Sequence, residues 1–206
     1  MNKLLALLFS LFFLSSPSVF ADDISDLSIE GVSIGDSLLD YMTEDEILEG
    51  IERTKDWYSH FKEPNKYAEV KINNNFSKYD VVGVFIKNNN LNEYVSNKNE
   101  KYTILGIRGS IFYDEDFDNC IIERDKIVEI FSKILPSAIK SEYYEYHDAD
   151  PSGDSIVDSV YLDNLHYEGS RFICTDWSES KTTMNNWTDN LSIHLETQEI
   201  IEWFED

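Results

Sequence analysis

Between residues 67 and 196 the chain repeatedly alternates β-prone runs with turns, and this alternation restricts the fold more than any other feature. The runs are Tyr67 to Ile72, Val81 to Ile86, Tyr102 to Tyr113, Glu142 to His147, Ile156 to Asp163, Arg171 to Trp177 and Leu191 to Glu196, rich in Val, Ile, Tyr and Phe. Asn-rich turns at Asn73 to Asn75 and Asn88 to Asn90 punctuate the first three. Parallel neighbours need crossovers of a dozen or more residues, usually helical, and most of these connections are too short for that. The runs therefore predict consecutive antiparallel strands. The last shows the cleanest period of two, with Leu191, Ile193 and Leu195 set against Ser192, His194 and Glu196. His194 falls on the polar side, where an exposed histidine is expected.

Two helices are expected to cover this sheet. Thr43-Glu44-Asp45-Glu46 has capping-box spacing, and Ile47, Leu48, Ile51, Trp57, Tyr58 and Phe61 continue it as one apolar stripe that must stop before Pro64. After an acidic loop, Asp114 to Asn119, a second stripe runs through Ile127, Ile130, Phe131 and Ile134 to Pro136. The expectation is an α+β architecture in which an antiparallel β-sheet packs against two amphipathic helices, with a helix-then-strands pattern occurring twice. With 42% hydrophobic and 14% aromatic residues in 206, there is ample material for a core, and no low-complexity linker divides residues 22 to 206, expected to be a single domain.

The first 21 residues read as an address. A cationic start at Lys3, an apolar run from Leu4 to Leu14 and a polar exit ending in Ala21 match a secretory signal peptide cleaved between Ala21 and Asp22. The apolar run is about half the length that a membrane span needs, so no stable membrane insertion is expected after cleavage. A periplasmic or secreted protein is the consequence. In that oxidising setting Cys120 and Cys174 are expected to form a disulfide, since neither has a close Cys or His partner for a metal.

Forty acidic against 17 basic residues give a formal net charge of -23. That excludes a general nucleic-acid binder, which needs a Lys/Arg stripe to replace counterions on phosphate, and disfavours anionic membrane surfaces. From Ser141 to Ser170 there are eight acids and no Lys or Arg. Within that stretch Asp148, Asp150, Ser152 and Asp154 alternate as oxygen ligands do at the opening of an EF-hand loop, a pattern suited to Ca²⁺. Ser159 stands where the closing Glu would be, and Pro151-Ser152-Gly153-Asp154 is equally ordinary turn chemistry. The histidines, His60, His147, His166 and His194, share no zinc-ligand spacing.

Gly35-Asp36-Ser37-Leu38 and Asp163-Asn164-Leu165-His166 resemble the nucleophile block and the Asp-x-x-His block of the GDSL (SGNH) esterases. The resemblance implies a hydrolase in which Ser37 attacks an ester carbonyl, His166 takes its proton and Asp163 orients the imidazole. That family's Gly-x-Asn-Asp block has no counterpart here. The other reading of Ser37 is a cap on a short helical turn. The whole segment Ile29 to Tyr41 also resembles the opening of small exported proteins of unknown function from AT-rich marine bacteria; that likeness implies export and carries no activity. The expected function is therefore that of an exported, soluble, non-catalytic binding or interaction protein, partner unknown, with a serine esterase and a calcium-stabilised acidic protein as alternatives.

Overall fold

Seven strands form one antiparallel sheet in the computed structural model, which describes residues 27–56, 66–73, 75–88, 100–114, 116–163 and 169–205. They are β3 (Tyr67–Lys71), β4 (Val81–Lys87), β5 (Ile104–Phe112), β6 (Ile139–Tyr146), β7 (Ile156–Asp163), β8 (Gly169–Asp176) and β9 (Asn190–Glu196), and they lie in the order β3-β4-β5-β9-β8-β7-β6. Two antiparallel meanders, β3 to β5 and β6 to β9, meet where β9 pairs with β5. The first element is a smaller ribbon, β1 (Ser28–Ile29) with β2 (Val32–Ser33). Its two turn residues, Glu30 and Gly31, both have positive φ (53 and 82°), the geometry that matches a tight hairpin to strand twist.

One face of the sheet is apolar. Val70, Val82, Val84, Ile107, Ile193, Leu195, Phe172, Val160 and Leu162 are buried on it, and three elements cover them. Helix α1 (Glu44–Thr54) lies against β3, the β1–β2 ribbon against β5, and α2 (Phe117–Ile134) against β8 and β9. The capping box of α1 is formed: Thr43 Oγ1 accepts from the Glu46 amide and Glu46 Oε2 accepts from the Thr43 amide. The Cys120–Cys174 disulfide, closing 54 residues of sequence, fastens the first turn of α2 to β8.

The helices differ from the expectation in detail. Asp116 caps α2 by accepting from the Asn119 amide, so half of the expected acidic loop, Phe117 to Asn119, is already helix. Ile130, placed in the apolar stripe, is 55% exposed, because α2 offers the sheet a narrower face, centred on Cys120, Arg124, Ile127 and Val128. α1 closes at Thr54, and the expected continuation through Trp57, Tyr58 and Phe61 lies outside the described residues. The expected signal peptide, with its Ala21–Asp22 junction, lies outside them too. No helix among the described residues is long and apolar enough to cross a membrane.

Two further short helices, α3 (Glu179–Asn185) and α4 (Gln198–Glu205), were not expected. α4 lies on the opposite face of the sheet and buries Ile200 and Trp203 against Tyr67, Phe85 and Leu105. Leu105 can reach them because it is the extra residue of a bulge, where the register steps from Phe85–Gly106 to Ile86–Ile104. The remainder of that face is mixed, with a group of charged side chains among apolar ones.

Candidate binding face of the sheet

Strand register alone assembles this face. Gly83, Arg108, His194, Arg171 and Tyr161 stand opposite one another in turn across β4, β5, β9, β8 and β7. One step along the strands, Glu69, Phe85, Gly106, Glu196, Gly169 and Asp163 form the neighbouring row. Residues two apart share a face, so both rows project away from the helical layer.

The charges in these rows are arranged in two groups. Arg108 Nη1 lies 3.7 Å from Glu69 Oε1, with its guanidinium 5.3 Å from the centre of the Phe85 ring. This meeting crosses β4 at Gly83, where an added Cβ would stand 3.0 Å from the Glu69 carboxylate, so the glycine leaves the gap through which acid and guanidinium approach. In the second group Arg171 Nε lies 3.4 Å from Glu196 Oε2 and its guanidinium sits 5.3 Å from the centre of the Tyr161 ring. His194 Nδ1 is 3.2 Å from Glu196 Oε1.

Electrostatics fixes the protonation of this pair. Burial, reinforced by the nearby Arg108 charge, holds the His194 imidazole below its ordinary value, so at neutral pH it is uncharged and donates from Nδ1. Burial works to raise the Glu196 carboxyl, but the His194 hydrogen bond and the Arg171 and Arg108 charges outweigh it and keep the group ionised. Glu69 and Glu196 are 4% and 1% exposed. Buried ion pairs gain little over apolar packing, because desolvation consumes most of the attraction. A sheet face built from them is better accounted for by what it can contact than by stability.

A pocket of about 190 Å³ opens on this face beside the first group. Glu69, Gly83 and Arg108 form its floor, Val81 and Phe112 give an apolar wall, and Lys71, Ser110 and Asn190 complete the rim. Phe112 is 45% exposed, so its ring is open to a ligand at the pocket. The Ser192 hydroxyl donates to Asn190 Oδ1 and lies 3.3 Å from the Ser110 hydroxyl, so a chain of polar groups lines one side.

The sequence-based candidates fall elsewhere. Ser37 is 2% exposed, its hydroxyl donating to the Lys101 carbonyl (2.7 Å) and accepting from the Leu39 amide as the cap of a 3-10 turn over Leu38–Asp40. Its segment runs along the start of β5, bridging Thr103, whereas Asp163 closes β7. Asp163, Gly169, Glu196 and Gly106 stand opposite one another in turn, so three interstrand steps of about 4.8 Å separate Asp163 from β5, and the structure does not bring Ser37 and Asp163 together. His166 lies outside the described residues.

In the acidic loop the Asp150 carboxylate turns inward and accepts from the Ser152 amide and from the hydroxyls of Ser152, Ser155 and Ser178. These bonds, the Ser155 hydroxyl foremost, hold it well below the usual carboxylate range. Asp148 and Asp154 remain outside, exposed. The loop is a hydrogen-bonded hub between β7 and α3, and no group of three or more His, Cys, Asp or Glu among the described residues could hold a metal ion.

The sequence reading missed Glu69, Arg108, Arg171 and Glu196 and placed His194 as exposed; it is 8% exposed. A signal was present. Glu69 with Lys71, and His194 with Glu196, are polar at period two inside β-prone runs, and a lone Arg108 between Gly106 and Gly109 interrupts a mostly apolar strand. Neither family models, nor curated proteins, nor solved structures match this chain.

Proposed function

We propose that this chain is an exported, non-catalytic binding protein whose open sheet face takes a small carboxylate-bearing solute with an apolar side. The observation that carries the reading is Arg108 at the floor of the pocket, facing an apolar wall of Val81 and Phe112. A guanidinium is the side chain best shaped for a carboxylate, and the apolar wall rewards a ligand that is hydrophobic at its other end. Local charge agrees: among the residues lining the pocket, Lys71 and Arg108 are basic and Glu69 alone is acidic, one positive charge in excess in a chain carrying -23. Export rests on the leader through Ala21, and the Cys120–Cys174 disulfide accords with an oxidising destination.

The helix-then-strands order read twice in the sequence belongs to the same proposal. β3 to β5 supply Glu69 and Arg108, β6 to β9 supply Arg171, His194 and Glu196, and the face exists only where the two sets adjoin. Ester hydrolysis gains no support from Ser37, whose hydroxyl is engaged on both sides.

The test is calorimetric titration of the purified protein with leucine and with leucine amide, which lacks the carboxylate. Leucine is expected to bind and the amide to bind at least about tenfold more weakly, a gap of about 1.4 kcal/mol. Arg108→Gln, which still offers Glu69 a hydrogen-bond donor, is expected to abolish the difference. Equal affinity for both probes, or unchanged leucine binding in Arg108→Gln, would overturn the proposal.

A further inference from the structure

The two edges of the sheet are treated in opposite ways. β3 is buried along four of its five residues, α1 covering Ala68 and Val70 on one face and α4 covering Tyr67 on the other, and the Thr54 hydroxyl donates to the Glu69 carbonyl at that edge. β6 is exposed at seven of its eight residues and, among the described strands, pairs only with β7. Natural sheets blunt such an edge with prolines, bulges or brevity, because its unpaired amides and carbonyls will accept another strand. β6 has no proline and no bulge, pairing with β7 without a register shift from Ile139–Asp163 to Tyr146–Ile156, and its exposed charges, Lys140, Glu142 and Glu145, discriminate between incoming strands rather than close the edge.

The direction of its free groups follows from the ladder. The His147 amide donates to the Ser155 carbonyl at the end of the β6–β7 pair, so alternation turns the N–H and C=O of Lys140, Glu142, Tyr144 and Tyr146 outward. Large side chains flank them on both faces, with Tyr144 and Tyr146 67% and 69% exposed and Ile139 61%. Aromatic side chains beside an open edge are the usual source of side-chain affinity in strand addition.

Charge selects the occupant. Lys140, Glu142 and Glu145 are exposed on the strand, with Lys140 paired to Glu142, and Asp148 and Asp154 are exposed on the loop beyond; after Lys140 the stretch from Ser141 to Ser170 holds no Lys or Arg, so carboxylates are in excess. A second copy would bring the same carboxylates to the same edge and a further net charge of -23. We propose that β6 is a docking edge for an extended basic peptide segment of a partner protein, which adds as an eighth strand and sets Lys or Arg side chains against Glu142 and Glu145. This inference is independent of the pocket at Arg108, which lies across the sheet.

The test uses two labelled octapeptides of valine, one carrying lysines three residues apart, so that they reach both faces of the edge, and one with glutamates at the same positions, titrated against the purified protein by fluorescence anisotropy. The lysine peptide is expected to bind, more weakly as salt is raised, and to protect the amides of Glu142, Tyr144 and Tyr146 from hydrogen exchange. Tyr144→Pro deletes an outward N–H without touching the β6–β7 ladder and is expected to weaken binding at least about tenfold. Glu142→Gln/Glu145→Gln, which leaves the backbone donors in place, is expected to weaken it and to flatten the salt dependence. Circular dichroism of each variant confirms that the sheet is retained, and if Tyr144→Pro fails this control the exchange protection and the double Gln variant decide. The proposal is overturned if the glutamate peptide binds equally well, if a folded Tyr144→Pro binds the lysine peptide unchanged, if no β6 amide gains protection, or if the edge is instead closed by dimerisation of the protein alone.

Discussion

His194 and Glu196 stand two residues apart on β9 and make the stability of the sheet depend on pH. An unfolded histidine protonates near 6.5, while the folded imidazole is held lower, by burial first and the Arg108 charge second. Below about 6.5 the unfolded chain therefore binds a proton that the folded chain does not, and stability present above that pH declines as pH falls toward the folded value. His147, also held low by burial, acts in the same sense. Glu196, folded below its ordinary 4.5, adds a second loss as pH falls through its folded value. Urea unfolding at pH 7.5, 6.5 and 5.5 is expected to show falling stability, with a shallower fall in His194→Gln; an equal fall in the variant would show that the imidazole is not responsible.

Ser37 bears a separate expectation at the same scale. As a cap it should cost about 1 kcal/mol when replaced by alanine, and it should leave turnover of a nitrophenyl ester at background in both proteins. Ester turnover that Ser37→Ala removes would restore the hydrolase reading. The roles of both residues were only partly legible in the sequence. Gly-Asp-Ser-Leu is the same string whether it presents a nucleophile or caps a turn; only the burial of the hydroxyl and its bond to the Lys101 carbonyl separate the two. His194 looked exposed because alternation shows which side of a strand a residue takes, and says nothing of what covers that side.

Among the elements, the strands were the most legible, because β-branched and aromatic runs bounded by short turns carry their own length and pairing sense. All seven runs are strands, with ends shifted by up to about three residues, a common scale of boundary error. α4 was missed for a physical reason: eight residues give barely two turns, too few to show a period, and its helical state depends on Trp203 and Ile200 meeting Phe85 and Leu105. The disulfide is the strongest single constraint between elements. Closing 54 residues, it restricts the unfolded chain enough to contribute about 4 kcal/mol. Cys120→Ala/Cys174→Ala is therefore expected to lower unfolding free energy by an amount of that order, read by urea denaturation, while keeping the far-ultraviolet spectrum. A loss below about 1 kcal/mol would mean that α2 is held to β8 by packing alone.

At the scale of the whole molecule, tyrosines tie the N-terminal segment to the sheet. Tyr41, Tyr79 and Tyr102 are each pushed up to about 12, by burial first and then by neighbouring carboxylates. The unfolded chain releases these protons from about pH 10 while the folded chain retains them, so stability is intact below pH 10 and is lost as pH rises toward 12. Tyr102 also donates to Glu44 at the start of α1, so alkaline loss of structure should begin where α1 and the 3-10 turn meet β5. Ring-carbon chemical shifts of the assigned Tyr41, Tyr79 and Tyr102, recorded together with circular dichroism, should show their ionisation coinciding with the loss of structure above pH 10; ionisation of these three well before any structural change would contradict the burial of their rings.

The central claim is that the open face of the sheet binds a carboxylate beside Arg108. The most direct measurement is a ¹H–¹⁵N correlation titration of the assigned protein with leucine, followed residue by residue. The account predicts saturable shifts confined to the amides of Lys71, Gly83, Arg108, Ser110 and Asn190 and lost in Arg108→Gln, whereas shifts clustered elsewhere, or none at saturating leucine, would contradict it.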